Sequence, residues 1–595
     1  MPSRFPVFAE PEDTVLSLEV QARIASIEPD EPAEFRLLLR HFLERFFNNE
    51  MASADGEGKT RLIHAACAVG LPGFVMALYL YPMYHLARGH RPYWSAVSDH
   101  YFYVAYSVVA LGVVTVFQWD FFFPNLLDVF VLSPLPVRDS KLFQARISAV
   151  ALFLALFLFD SNFLAPLVLP AATDPPALIR FLAAHIVAVA MSGIFAATFV
   201  LTVQGLLLGI LGEHLFRKIS LLLQGLSITT LLTLLLLTPT VAGVLRGLIN
   251  SRTAAVLYFP PFWFLGLYQR ILEGPAAPPI FARLAETGFG ATVLTTTAAM
   301  LSYPFAYRRR TRELIEGSTN VKSSGWLSAA TNLGLSATPI RNPAHKAISG
   351  YIGQTLMRVQ RYQFYLTMYG GLGLALMIAC ALRLNFVHGE LRLNFSSDGL
   401  QACVPISAFW TIAGLRTSFL SPADRRGAWI FRAVRGRPGL EQFLATKQWV
   451  LLRAILISLL TIVVIYIVAP RDLRAWRMIA VQLLTAIGLC LLLTDVFFLR
   501  VRTIPFTGTQ AKSTTHLAFV ITQYLGLFPL LIFFTLDLER WMEANLLNIL
   551  ITTATIAAAH LTLRWLHQKT VAGYTSQIEL DEDQEEFPQT LGLRY

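Results

Sequence analysis

The sequence predicts an all-α polytopic membrane protein with about twelve spanning helices, arranged as two six-helix halves. Three observations predict it. Hydrophobic residues make up 55% of the 595 and charged residues only 14%, against roughly 25% charged in soluble domains. Apolar runs near the ~20 residues needed for a bilayer crossing recur along the chain. Basic residues alternate in density between the segments joining those runs. With residue 1 placed in the cytoplasm, 35 of the 48 Lys and Arg fall on the cytoplasmic side and 13 outside, the asymmetry that fixes orientation in bilayers. Both termini are therefore expected inside. The net charge of +10 follows from the same asymmetry and is no sign of a nucleic-acid partner.

Residues 1–61 form a polar cytoplasmic segment without an apolar h-region, so no cleavable leader is expected. Within it, Phe35, Leu38, Leu39, Phe42, Leu43 and Phe46 recur at helical spacing over 33–48, opposite Arg36, Arg40 and Glu44. Such a helix is expected to lie in the membrane interface, or to pack on the chain's own loops. Gly58-Lys59-Thr60 resembles the end of a phosphate loop, but the required glycine five residues before Gly58 is Ser53. Any ATPase activity would then belong to another chain.

The spans are expected at 62–85, 101–118, 145–168, 181–211, 219–245 and 286–307 in the first half (62–307). Those of the second half (363–566) fall at 363–386, 400–420, 448–469, 475–498, 515–536 and 545–566. Gly212 to Lys218 alone joins spans four and five, a tight cytoplasmic hairpin. The segment before span two, with His85, His90, His100 and Asp99, matches no metal template and reads as a solvated interfacial loop.

Between spans two and three lies Asp128 to Arg146. An amphipathic start breaks at Pro134 and Pro136, and a helix restarts with Arg138, Lys141 and Arg146 among apolar residues. This is an elbow at the cytoplasmic face. Leu132 to Arg146 fits the pattern L-x-x-LP-[VI]-x-x-x-x-[LI]-F-x-[AS]-[KR]. The stretch resembles the permease subunits of bacterial ATP-binding-cassette exporters of the type-2 class, many of which carry that pattern here. The resemblance implies a multi-pass transport protein of the cytoplasmic (inner) membrane whose elbow docks a separate ATP-binding subunit. Arg138, Lys141, Leu142 and Phe143 would be docking residues, with Leu142 and Phe143 as an apolar knob. The corresponding stretch of the second half, Phe419 to Arg437, repeats Leu-Ser-Pro at 420–422 but lacks the second proline. It offers Arg425 and Arg426.

Leu257 to Tyr268 is too apolar for a free loop and too short to span. It reads as a re-entrant hairpin broken at Pro260-Pro261, with Trp263 in a gating position, or as a membrane-lying loop without one. The resemblance implies external re-entrant helices at this place. Residues 308–362 form a cytoplasmic linker rich in Ser, Gly, Asn and Pro, opened by a basic run. Asp537 to Ala544 is read as a short external loop, and 567–595 as an acidic cytoplasmic tail.

Asp160, His185, Arg416, Asp495 and His560 fall at membrane depth, where ionisable groups are functional candidates or pair between helices. The four cysteines sit in or beside spans without a C-x-x-C pair, which points to packing. No catalytic, cofactor-binding or metal-ligating constellation is present, so no enzyme activity is expected of this chain. Two further classes fit the pattern: a secondary transporter with two six-helix halves, and a non-transporting membrane scaffold or assembly protein.

Overall fold

The computed structural model describes residues 31–47, 58–86, 91–124, 126–132, 134–135, 137–251, 254–316, 343–387, 390–420, 440–468, 476–499, 505–506 and 517–574. Nearly all of them are helical. The first half holds α1 (Glu31–Phe47), α2 (Gly58–Leu86), α3 (Tyr93–Phe117), α4 (Leu126–Leu132), α5 (Asp139–Thr173) and α6 (Leu178–Leu236). It continues with α7 (Thr238–Ser251), α8 (Ala254–Tyr258), α9 (Pro260–Glu273) and α10 (Pro279–Ile315). The second half holds α11 (Pro343–Arg358), α12 (Gln360–Ala381), α13 (Ser397–Leu420) and α14 (Leu440–Val468). It ends with α15 (Trp476–Phe497), α16 (Leu517–Ala544) and α17 (Leu546–Tyr574). Between α12 and α13, β1 (Leu382–Val387) and β2 (Glu390–Phe395) pair antiparallel, Leu382 opposite Phe395. The seventh apolar run therefore ends as helix at Ala381, and its last residues form a hairpin strand.

Eight helical stretches among the described residues are long and apolar enough to cross a bilayer. Their outer faces confirm the environment. Leu152, Leu156, Phe159 and Phe163 on α5, and Leu456, Leu460 and Val463 on α14, are exposed. Ser107, His185, Gln204 and Gln224 are buried. Apolar surface on this scale marks contact with lipid rather than water. The chain is an integral membrane protein.

The helix α6 is continuous in backbone yet cannot be straight. Its 59 residues would span about 88 Å at 1.5 Å per residue. Both its parts nevertheless pack along α3. Ser192 donates to the Val104 carbonyl (3.4 Å), Gln204 donates to the Trp119 carbonyl, and Phe216 stacks on Trp119 at 6.3 Å. Further on, Leu231 lies against Gly112. The chain runs down α3, turns between Gly209 and Phe216, and returns. The hairpin expected at 212–218 is thus made without leaving helical geometry.

Polar ends divide the molecule. At one end sit the β-hairpin, α7, α8 and α9; at the other sit α1, α4 and α11. We call these the hairpin end and the elbow end. The halves meet where Gly225 and Thr229 of α6 face Thr367 and Gly371 of α12. At the hairpin end of the second half, Asp537 to Ala544 is helical, not a loop, because α16 continues to Ala544 and only Asn545 separates it from α17.

Candidate functional site

The elbow is built around Arg146, which is 3% exposed. After α3 the chain makes a 3-10 turn, Trp119–Phe121, whose following carbonyls point back toward α5. Arg146 donates to the carbonyls of Phe121 (2.8 Å), Phe122 (3.2 Å) and Phe123 (2.5 Å). It also binds Asp128 of α4 at 3.0 Å. A planar guanidinium with five donors can serve four acceptors at once. Asp128 pairs in addition with Arg45 of α1, so α1, α4 and α5 are tied through one carboxylate. Tyr303 and Arg310 of α10 donate to the carbonyls of Phe122 and Pro124.

Beside this knot lies a cleft of about 730 Å³, lined by Leu132, Leu142, Phe143, Tyr307, Arg308 and Arg312 among others. The docking residues read from the sequence separate here. Arg138 is exposed. Lys141 pairs with Glu34 of α1 at 3.1 Å. Leu142 is buried, and Phe143 is half-buried against Tyr303 and Tyr307, with ring centroids 6.1 and 5.0 Å apart. Leu142 and Phe143 therefore line a socket and form no projecting knob. A helix starting at Asp139 places residues 142, 143 and 146 toward the bundle, a register the proline pattern alone does not fix. The apolar side chains that do project are Phe130 (68% exposed), Val131 and Leu135. Arg425 and Arg426 lie outside the described residues, as does most of the second elbow.

The expected interfacial helix 33–48 is α1, and its apolar face is already used. Leu38, Phe42 and Phe46 are buried in the core with Phe122 and Phe153. It packs on α5 rather than presenting that face to lipid.

At the hairpin end, Pro260 and Pro261 open α9 after an extended Phe259, since proline at the first helical position has no amide hydrogen to leave unpaired. The break therefore precedes Pro260. Trp263 donates its indole N–H to the Leu257 carbonyl at 2.6 Å, closing α8 onto α9. The helix α9 is wedged among α3, α6 and α10. A Cβ on Gly266 would lie 2.5 Å from that of Leu284, so the α9–α10 crossing requires glycine there. The geometry is that of a helix pair inserted into the bundle. At the end of α9, burial lifts the Glu273 carboxyl above the usual range, opposed by its hydrogen bond from Tyr93.

Beneath α9 lies a polar network the sequence reading assigned to a solvated loop. Asp99 and His100 are buried, because α3 begins at Tyr93. Arg91 clamps Asp99 through two bonds (2.6 and 2.7 Å), and Tyr84 donates to it at 2.9 Å. His100 lies 2.9 Å from Gln269 and stacks on Tyr268 at 4.2 Å. His185 is fully buried, 3.3 Å from the Tyr268 hydroxyl. His85 stays exposed, stacked on Tyr81, and His90 lies outside the described residues.

The remaining membrane-depth groups behave differently from one another. Asp495 is held between Lys447 (3.3 Å) and His560 (2.5 Å), a three-helix pairing. Arg416 lies over the rings of Phe497 and Phe498 at 5.9 and 6.0 Å. Asp160 is half-buried beside Gly70, with one oxygen closed from solvent and unpartnered among the described residues. The sequence reading missed Glu539, which is 1% exposed with both oxygens in the same state. Its signal was available: a helix that runs past its apolar stretch carries its last acidic residues inside. Among the described residues no group of His, Cys, Asp and Glu could hold a metal ion. No protein-family model matches the chain, and neither any curated protein nor any solved structure matches it.

Proposed function

We propose that this chain is the membrane-spanning part of an exporter, driven by a separate cytoplasmic ATPase that docks on the elbow end. In this reading the chain crosses the cytoplasmic (inner) membrane twelve times. Both termini and the 308–362 linker lie inside, on the side carrying 35 of the 48 basic residues. The observation that supports the reading best is the Arg146 knot beside an open cleft. An elbow tied to α1, α5 and α10 by buried charge-assisted bonds moves with those helices. Force applied at its projecting rim of Phe130, Val131 and Leu135 thus reaches α5 and α10 directly. Buried polar side chains such as Ser107, His185, Gln204 and Gln224 support a path through the bundle.

The test is co-purification in mild detergent with the ATPase encoded at the same locus. Wild type should retain it, and Phe130→Ser with Leu135→Ser should lose it while the bundle stays folded, because both positions are exposed. Phe143→Ala should weaken the complex less, by opening the socket. An ATPase that stays bound to the double variant sinks the docking site, and failure of wild type to recover one moves the scaffold reading ahead.

A further inference from the structure

Glu539 lies near the end of α16, where α16 packs on α13 and α15. Neither carboxylate oxygen has a hydrogen-bond partner or access to solvent among the described residues. Its surroundings are rich in oxygen. Gln482 (2% exposed) and Thr485 (6%) lie three positions apart on α15, so they share one face. The Gln482 side-chain carbonyl and the Thr485 hydroxyl are also unpartnered. Thr485 sits beside Glu539. Tyr466 of α14 is within electrostatic range of both Glu539 and Glu543, and its hydroxyl, closed from solvent, is unpartnered too.

The other charges nearby are engaged. Arg540 pairs with Asp398 at 3.0 Å, and Glu543 accepts from Gln401 at 3.3 Å. The Lys447–Asp495–His560 group lies ten residues further along α15 from Thr485, about 15 Å away. Among the described residues no ion pair therefore answers the Glu539 charge. An unpaired carboxylate in such a place costs several kcal/mol, and the cost falls away only when something charged or protic joins it.

We propose that Glu539, Gln482, Thr485 and Tyr466 bind a dehydrated monovalent cation of the sodium class, with Glu539 supplying the charge. One free carboxylate among neutral oxygens balances a single positive charge, whereas calcium and magnesium sites use more anionic donors. A proton answers the charge but brings one donor, while an ion draws on all four side chains together. The site lies at the hairpin end of the second half, remote from the elbow, so it stands whichever way transport is powered.

The experiment uses the purified full-length protein in detergent. The unfolding temperature is followed against NaCl, with ionic strength held by choline chloride. Sodium should raise it saturably and choline should not. Glu539→Gln should abolish the rise, and Gln482→Leu and Thr485→Val should each weaken the apparent affinity about tenfold or more. Removing a buried charge favours folding of Glu539→Gln; if that variant is not monodisperse, the Gln482 and Thr485 variants decide. A sodium effect retained by the variants overturns the site. So does an equal effect of choline, or a wild type that responds to pH alone.

Discussion

The two halves bury their charge in opposite ways at the hairpin end. In the first, Asp99 is buried with Arg91 and Tyr84 bonded to it, and α9 packs on α3 beside it with Gln269 against His100. In the second, Asn545 alone joins α16 to α17, and Glu539 is buried with no hydrogen-bond partner among the described residues. The shared plan makes the difference informative. In each half one helix, α3 or α13, is heavily buried, and it packs on α6 or α15. In each half the amphipathic helix before the first span packs on the third, α1 on α5 and α11 on α14. One half therefore carries a buried carboxylate, Asp99, bonded by Arg91 and Tyr84, and the other carries Glu539 without a hydrogen-bond partner among the described residues. Buried groups that satisfy one another hold a structure; those that do not are poised to take a ligand.

Substitutions can break this contrast, and the largest effect belongs to the elbow. Arg146→Leu removes one of the two guanidiniums on Asp128 and takes a donor from the carbonyls of Phe121, Phe122 and Phe123, of which Phe122 keeps Tyr303. Loss of one member of a buried charge cluster costs about 3–5 kcal/mol, so the variant should show a strongly lowered unfolding temperature in detergent. Asp99→Asn comes next. It keeps the shape but removes the charge that Arg91 and Tyr84 bind, a loss of about 1.5–3 kcal/mol. Glu539→Gln should go the other way and melt no lower than wild type in sodium-free choline buffer. Equal destabilisation by Asp99→Asn and Glu539→Gln, read in the same melts, would erase the difference between the halves.

Much of this architecture was legible in the sequence because apolar period and length dictate it. The amphipathic spacing of Phe35 to Phe46 marked α1, and Gly212 to Lys218 marked the reversal that α6 makes within helical backbone. What the pattern did not carry was the partner of each face. The phenylalanines of α1 have the same spacing whether they meet lipid or α5. Leu142 and Phe143 look like a knob until the start of α5 fixes their direction inward. Asp99 and His100 read as solvated because polar residues precede an apolar run, yet α3 begins six residues before Asp99 and carries them into the bundle. Glu539 reads as a loop residue for the same reason: composition marks where hydrophobicity ends, not where the helix does. The elbow's break was legible from Pro134 and Pro136, but the triple carbonyl cap by Arg146 depends on a turn formed more than twenty residues earlier.

Sidedness is the point on which the functional reading turns. In a background without Cys67, Cys380, Cys403 and Cys490, single cysteines are placed at Leu135 on the elbow and Arg392 on the β-hairpin, both exposed, and intact cells are treated with a membrane-impermeant maleimide. The account predicts that Arg392→Cys labels in intact cells and Leu135→Cys only after lysis. Labelling of Leu135→Cys from outside, with Arg392→Cys protected, would put the elbow on the wrong face for an ATPase and contradict the account.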